Sequence, residues 1–272
     1  MITDQQDSAG EKNAEKVPAA ADDAGSAQPA AGTEEQVDKS ETRVRRMFGQ
    51  IAGRYDFLNH FLSLNIDHYW RRKAVKHAPP VGTEPVLDVC TGTGDLALAY
   101  YKRGPDGLPI VASDFCPEML DIGREKGKRI GANERITWVE ADSQALPFPS
   151  DEFQLVSVAF GLRNVTDTMA GLREMARVCK PGGQVVVLEF SMPQRQPIRG
   201  IYSWYFRHVL PRLGQLLSGS REGAYNYLPQ SVGQFPQGET LCDMMRETGL
   251  EDVTFRPMTF GVATLYVGRK PA

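Results

Sequence analysis

A chain of 272 residues is long enough to bury one large core or two small ones. With 31 Lys and Arg against 34 Asp and Glu its formal net charge is −3, which gives no global electrostatic case for nucleic acid. The four cysteines, Cys90, Cys116, Cys179 and Cys242, form no CxxC pair, so neither zinc nor a disulfide framework is expected, and no apolar run is long enough to span a bilayer.

Residues 1–40 are rich in Ala, Gln, Gly, Ser and acids and contain no aromatic residue. Such a segment cannot bury enough apolar surface to offset its ordering entropy, and it reads as a disordered tail. It has no apolar h-region and no Arg before Arg43, so it resembles neither a secretory signal nor an organelle transit peptide. A cytoplasmic protein is expected.

Val44, Met47, Phe48 and Ile51 recur at helical spacing, with Ser40 or Thr42 as N-cap. The stretch "YDFLNHFLSLNIDHYWRR" (55–72) continues this helical region; it reads as a packing helix, a membrane-touching helix or one wall of a site. After the loop "APPVGTEP" the chain alternates. "VLDVC" (86–90) is a strand, and a glycine turn leads into a helix that ends at Gly104. "PIVASD" is a strand, and "CPEMLDIGREKGKR" is a helix with Pro117 in its first turn. "ITWVEAD" and "FQLVSVAF" are strands, "TMAGLREMARVCKPGG" is a helix closed by Pro181-Gly182-Gly183, and "QVVVLEFS" is a fifth strand. Strict alternation predicts parallel βα units in a doubly wound α/β sheet, buried on both faces. "LEDVTFRP" and "GVATLYVGRK" lie too close together for a crossover, so an antiparallel C-terminal hairpin completes a seven-stranded, mostly parallel sheet.

"DVCTGTGDLA" puts Asp88 at the end of strand one, then Gly92-Thr93-Gly94, then a helix start. Glycines let the backbone turn sharply and approach a ligand, and free N–H groups favour an anionic or electron-rich one. A lone GxG is more often a bare turn. Asp114, closing strand two, can accept both hydroxyls of a ribose, and Asp142, closing strand three, can accept from an exocyclic amine. Three acids at the carboxyl ends of parallel strands around one glycine turn outweigh the reading as solvated strand ends. Asp88 would oppose a pyrophosphate but suits a methionine ammonium, which separates S-adenosylmethionine from a nicotinamide dinucleotide.

On these residues the chain resembles the class I S-adenosylmethionine-dependent methyltransferases. Tyr55-Asp56, Asn59, Leu62-Ser63 and Trp70, with "ALPFPSDEF", "FGLRNVTD" and "RVCKPGGQVVVLEFS", are similar to the quinone C-methyltransferases of menaquinone and ubiquinone biosynthesis, over residues 41–270. Cys179, Asp67 and Ala159 depart from the usual aliphatic residue, His and Ser, and Ala159 leaves at most a backbone contact to the cofactor. The resemblance implies cofactor contacts from Thr93, Asp114, Asp142 and Ser143, beside Asp88, Gly92 and Gly94. It implies methyl transfer to a ring carbon of a polyprenylated quinol, most closely demethylmenaquinol, with a benzoquinol or another small molecule as the alternative acceptor.

In that reaction a ring carbon becomes nucleophilic when a ring hydroxyl loses its proton, and a nearby cation stabilises the phenolate. Arg163 is the candidate cation, against a surface salt bridge. Asn164 holds the loop or the substrate, and Tyr55 offers its hydroxyl. His60 is a candidate base, though a lone His is more often structural, and Trp70 reads as packing. Residues 41–80 are expected to form a helical lid and 193–235 a helical insertion. Within the latter, "IRGIYSWYFRHVLPRLGQLL" is basic and aromatic and suits a tail groove or a peripheral contact at the inner face of the membrane. No metal and no nucleic acid are expected, and a homodimer is left open. A nicotinamide oxidoreductase, an RNA methyltransferase and an inactive binding module are the rival classes.

Overall fold

The apolar runs form strands close to where the sequence places them. In the computed structural model, which describes residues 38–210, 212 and 224–272, β1 is Val86–Val89, β2 Ile110–Asp114, β3 Ile136–Glu140, β4 Phe153–Ala159 and β5 Cys179–Phe190. These five are parallel, while β7 (Ala263–Arg269) runs antiparallel to both β5 and β6 (Glu251–Met258). The order β3-β2-β1-β4-β5-β7-β6 puts β1 and β4 side by side at the centre, where the strand order reverses. Ligands bind open α/β sheets outside the carboxyl ends of the strands at this point.

The helices are α1 (Glu41–Leu62), α2 (Ile66–His77), α3 (Asp95–Arg103), α4 (Pro117–Arg129), α5 (Thr168–Val178), α6 (Ile198–Trp204), α7 (Ala224–Gln234) and α8 (Glu239–Glu247). Side chains alternate across the sheet. Val86, Ile110, Leu155 and Val186 pack with α2 and α3, while Leu87, Val156, Val158 and Val187 pack with α5 and α8. Complete burial of each such side chain contributes about 1.5–3 kcal/mol, which makes the sheet a rigid base for the loops at its edge. A further cluster joins Met47, Ile51 and Leu58 of α1 to Phe206, Leu210, Tyr227 and Val232 of the insertion. These helices lie over the carboxyl edge of the sheet, not beneath it.

Two boundaries differ from the sequence reading. The helix before β5 ends at Val178, and Cys179 is already extended and pairs with Phe153. The Pro-Gly-Gly step is a register shift inside β5, with Gly182 at φ +73°, and does not close the helix. Asp142 lies two residues beyond the end of β3, in the loop. The expected tail falls outside the described residues except for 38–40, where Lys39 O accepts from Thr166 Oγ1 at 2.7 Å. Of the insertion, residues 211 and 213–223 also lie outside them. Among the described residues no helix is long and apolar enough to cross a membrane.

Candidate active site

The turn after β1 is built from backbone that only small or glycine residues adopt easily. Cys90, Gly92 and Gly94 all have positive φ, and a Cβ on Gly94 would lie 2.4 Å from the Trp138 ring. The Gly92 amide donates to Asp114 Oδ2 at 2.8 Å and the Cys116 amide to Asp114 Oδ1 at 2.9 Å. Burial pushes the Asp114 carboxyl up to about 6, against the pull of the amides of Cys116, Gly92 and Phe115. Each oxygen keeps a lone pair for a further donor. Asp88 is 1% exposed and accepts from Thr91 Oγ1 at 2.6 Å and Ser157 Oγ at 3.0 Å. Burial raises it to about 7, and the hydroxyls of Thr91 and Ser157 oppose that rise. Asp142 accepts from the Gln144 amide at 2.8 Å.

Asp88, Asp114 and Asp142 line a cleft of about 840 Å³, open mouth included, together with Gly92, Thr93, Ser143, Ala159 and Asn164. A second chamber of about 1320 Å³, also counted to its mouth, lies behind it and is mostly apolar: Met47, Ile51, Trp70, Phe190, Tyr202 and Phe206 are among its walls. Tyr55, Phe48, Arg71 and Phe160 line both, so they form the partition.

The expected site residues divide between the chambers. Thr93, Asp114, Asp142, Ser143, Asp88 and Gly92 gather in the first, and Asn164 joins them, its buried Oδ1 without a hydrogen-bond partner. Gly94, expected among them, lines neither chamber and packs against the Trp138 ring. The Thr93 hydroxyl is engaged by Asp56 of α1 at 2.5 Å. Arg163 lines the second chamber. It is no surface salt bridge. Its side chain is 7% exposed and its NH1 lies 3.1 Å from Glu189 Oε2, itself 1% exposed. NH1 also donates to Phe160 O, the guanidinium stacks on the Phe190 ring, and Nε is buried without a partner. Tyr55 keeps its proton: burial raises its phenol, and Arg163 opposes that rise. His60 lines neither chamber. Its Nδ1 is 2.8 Å from Asp67 Oδ2, and its ring stacks on His68. Trp70 is both packed and part of the second chamber's wall, its Nε1 donating to Thr259 Oγ1 at 2.7 Å.

Three features escaped the sequence reading. Glu189 stands in a quoted motif, but nothing in the motif names its partner. Lys126 of α4 bridges Asp56 at 2.7 Å and Asp95 at 2.5 Å, and so ties α1 to the glycine turn. Burial would raise the Asp95 carboxyl, but Arg71 and Lys126 overcome it and hold it at about 2. Arg71, in the partition, carried no sequence signal beyond a basic helix end.

The first chamber fits the cofactor that the resemblance implies. It offers a buried carboxylate with free lone pairs for ribose hydroxyls, an acid at the loop after β3 for an amine, and a glycine turn whose backbone a ligand can approach closely. The comparisons with known proteins agree. A protein of Geobacter sulfurreducens called ubiquinone/menaquinone biosynthesis C-methyltransferase UbiE is 48% identical over 228 residues, which cover 84% of this chain and 88% of the relative. A demethylmenaquinone methyltransferase of Deinococcus radiodurans is 47% identical over 234 residues, 86% of this chain and 94% of the relative. In fold, the chain is similar to a crystal structure of an S-adenosylmethionine-dependent methyltransferase of Thermotoga maritima, with TM-score 0.59 and 17% identity over 83% of this chain and 98% of that one. The sequence profile that matches residues 36–270 takes in both chambers and every residue of their partition, and by it the chain belongs to the ubiE/COQ5 methyltransferase family.

Proposed function

We propose that the protein transfers a methyl group from S-adenosylmethionine to a ring carbon of demethylmenaquinol. One observation carries this reading: a polar, carboxylate-lined chamber and an apolar chamber share a single partition made of Tyr55, Phe48, Arg71 and Phe160. A nucleoside suits the first, a ring with an isoprenoid tail suits the second, and the reacting atoms meet at the partition.

Bound S-adenosylmethionine would be held by Asp114, Asp142, Ser143, Thr93 and Asp88, and it supplies a methyl group already activated as a sulfonium. The chain then has to orient the quinol, exclude water and hold the ring oxygen as an anion. Tyr55, a protonated phenol in the partition, donates to that oxygen. Arg163 places positive charge in the wall of the substrate chamber. Its pairing with Glu189 and Phe160 O fixes the guanidinium before substrate arrives, and its buried Nε is a donor without an acceptor. A preorganised donor of this kind acts on the charge that develops in the transition state. Asn164 keeps an acceptor in the cofactor chamber. Residues 41–80 act as the lid, because Asp56 latches α1 to Thr93 while the neighbouring Tyr55 faces both chambers.

The mouth of the second chamber supports a peripheral membrane contact. Leu64, 76% exposed, lines it, and Phe260, 78% exposed, follows Thr259 in its wall. Ile201 and Trp204 stand exposed beside Tyr202 and Tyr205 of the same wall. Every charged residue from 190 to 210 is basic. An apolar rim with basic flanks suits an anionic lipid surface from which a polyprenyl chain enters.

The reading is tested by single-turnover methylation of short-tailed demethylnaphthoquinol and of a matched demethylbenzoquinol, with the quinone profile of a strain lacking the gene. Accumulation of demethylmenaquinone is expected. An unchanged profile together with no methylated product overturns the proposal.

A further inference from the structure

The first chamber is lined by five carboxylates, Glu41, Asp88, Asp95, Asp114 and Asp142, and among the described residues by one cation, Arg71. The amino-acid end of S-adenosylmethionine carries an ammonium and a carboxylate. Asp88 serves the ammonium, but a carboxylate set among these acids is repelled unless a cation meets it. We infer that Arg71 is the anchor for the cofactor's carboxylate, an inference that rests on the methyltransferase reading above.

Arg71 is placed to take this role. Its side chain is 11% exposed, and NH1 donates to Asp67 Oδ2 at 2.6 Å along one turn of α2. NH2 stands 3.6 Å from Asp95 Oδ2, beyond hydrogen-bond range. Asp95 is already held by Lys126 at 2.5 Å, so it does not need Arg71 as its sole counter-charge. The guanidinium lies over the Phe160 ring at 5.3 Å. One edge of the fork is thus fixed by Asp67 and the ring, and the other stands beside Asp95 at a distance that leaves its hydrogen bonds unmade, in a side chain that lines the chamber. A planar fork with five donors binds a carboxylate in two parallel hydrogen bonds. Because Arg71 sits on α2, ahead of the sheet, this contact also ties the N-terminal helices to the bound cofactor. The competing explanation is an ion pair that only joins α2 to α3, and the two differ in what they do to ligands that lack a carboxylate.

The experiment titrates wild type, Arg71→Ala and Arg71→Lys by calorimetry with S-adenosylmethionine and with its decarboxylated form. The latter keeps the sulfonium and the ammonium and lacks only the carboxylate. Wild type should prefer the intact cofactor by about tenfold or more, the loss expected for a charge-assisted pair. The preference should vanish in Arg71→Ala, while affinity for the decarboxylated form stays near that of wild type. Arg71→Lys, which keeps the charge but not the fork, should recover part of it, and its ratio decides the matter if Arg71→Ala does not fold. A wild type that binds both ligands alike overturns this inference alone, as does an Arg71→Ala that weakens both equally. A wild type that binds neither overturns the methyltransferase reading with it.

Discussion

The two chambers of the site are made in different ways. The first chamber is assembled from the carboxyl ends of consecutive strands: Asp88 in β1, Asp114 as the last residue of β2, Asp142 two residues beyond β3, with the glycine turn between. Once the parallel sheet forms, its topology brings them together. The second chamber takes walls from residues as far apart as Met47 and Val262. No strand order delivers those walls, and they depend on how α1, α2 and the insertion settle over the sheet. The first chamber is therefore the more polar of the two and sensitive to charge. The second is apolar, and its energetics are those of packing.

Proton linkage should separate the chambers most clearly. Asp88 and Asp114 rest near 7 and 6 in the fold, against an ordinary 3.8. Between about pH 4 and 7 the folded protein holds more protons than the unfolded chain, so these two groups make stability fall as pH rises through that window. Their combined contribution is on the order of a few kcal/mol. A cationic ligand favours the ionised forms, so stabilisation by S-adenosylmethionine should grow over the same range. Thermal unfolding of wild type and Asp88→Asn from pH 5 to 8, with and without cofactor, checks this. A difference between the two proteins that stays flat with pH would show that Asp88 does not titrate there.

The ion pair in the substrate chamber offers the next test. Glu189→Ala leaves the Arg163 charge buried without its carboxylate and should cost about 3–5 kcal/mol in denaturant unfolding. Arg163→Ala should slow single-turnover methylation by about 10²–10³ while cofactor affinity changes little. Arg163→Lys should restore only part of the rate. A near wild-type rate for Arg163→Ala reduces the residue to a structural ion pair and passes the phenolate to Tyr55. Weak cofactor binding would move its loop into the first chamber and erase the division drawn above.

Asp114→Ala should weaken S-adenosylmethionine by about tenfold or more, since at least two charge-assisted hydrogen bonds go. Calorimetry reads this directly, and unchanged binding removes Asp114 from the ribose. The smallest effect is expected from deletion of residues 1–36, a polar, acid-rich segment without an aromatic residue. Melting temperature and turnover should stay where they are, and a large loss of either would show that the segment supports the lid.

The sequence by itself determined the sheet, its alternation and its antiparallel end, because apolar runs and periodicity are local and each strand was complete within a few residues. It also brought the acids of the first chamber together, because a residue at the end of a parallel strand is placed by topology alone. The helix end at Val178 was misjudged because Pro-Gly-Gly, usually a stop, is absorbed here as a shift in β5. Arg163 was found by its motif, yet its partner Glu189 is 26 residues on, and no spacing rule connects them. Arg71 and Lys126 went unread for the same reason. Tertiary structure alone decided which charges are neutralised, which are left to face a ligand, and that Trp70 reaches Thr259 across 189 residues to close the apolar wall. Such pairings are fixed by contacts between distant segments, and a linear pattern carries no trace of them until the chain has folded.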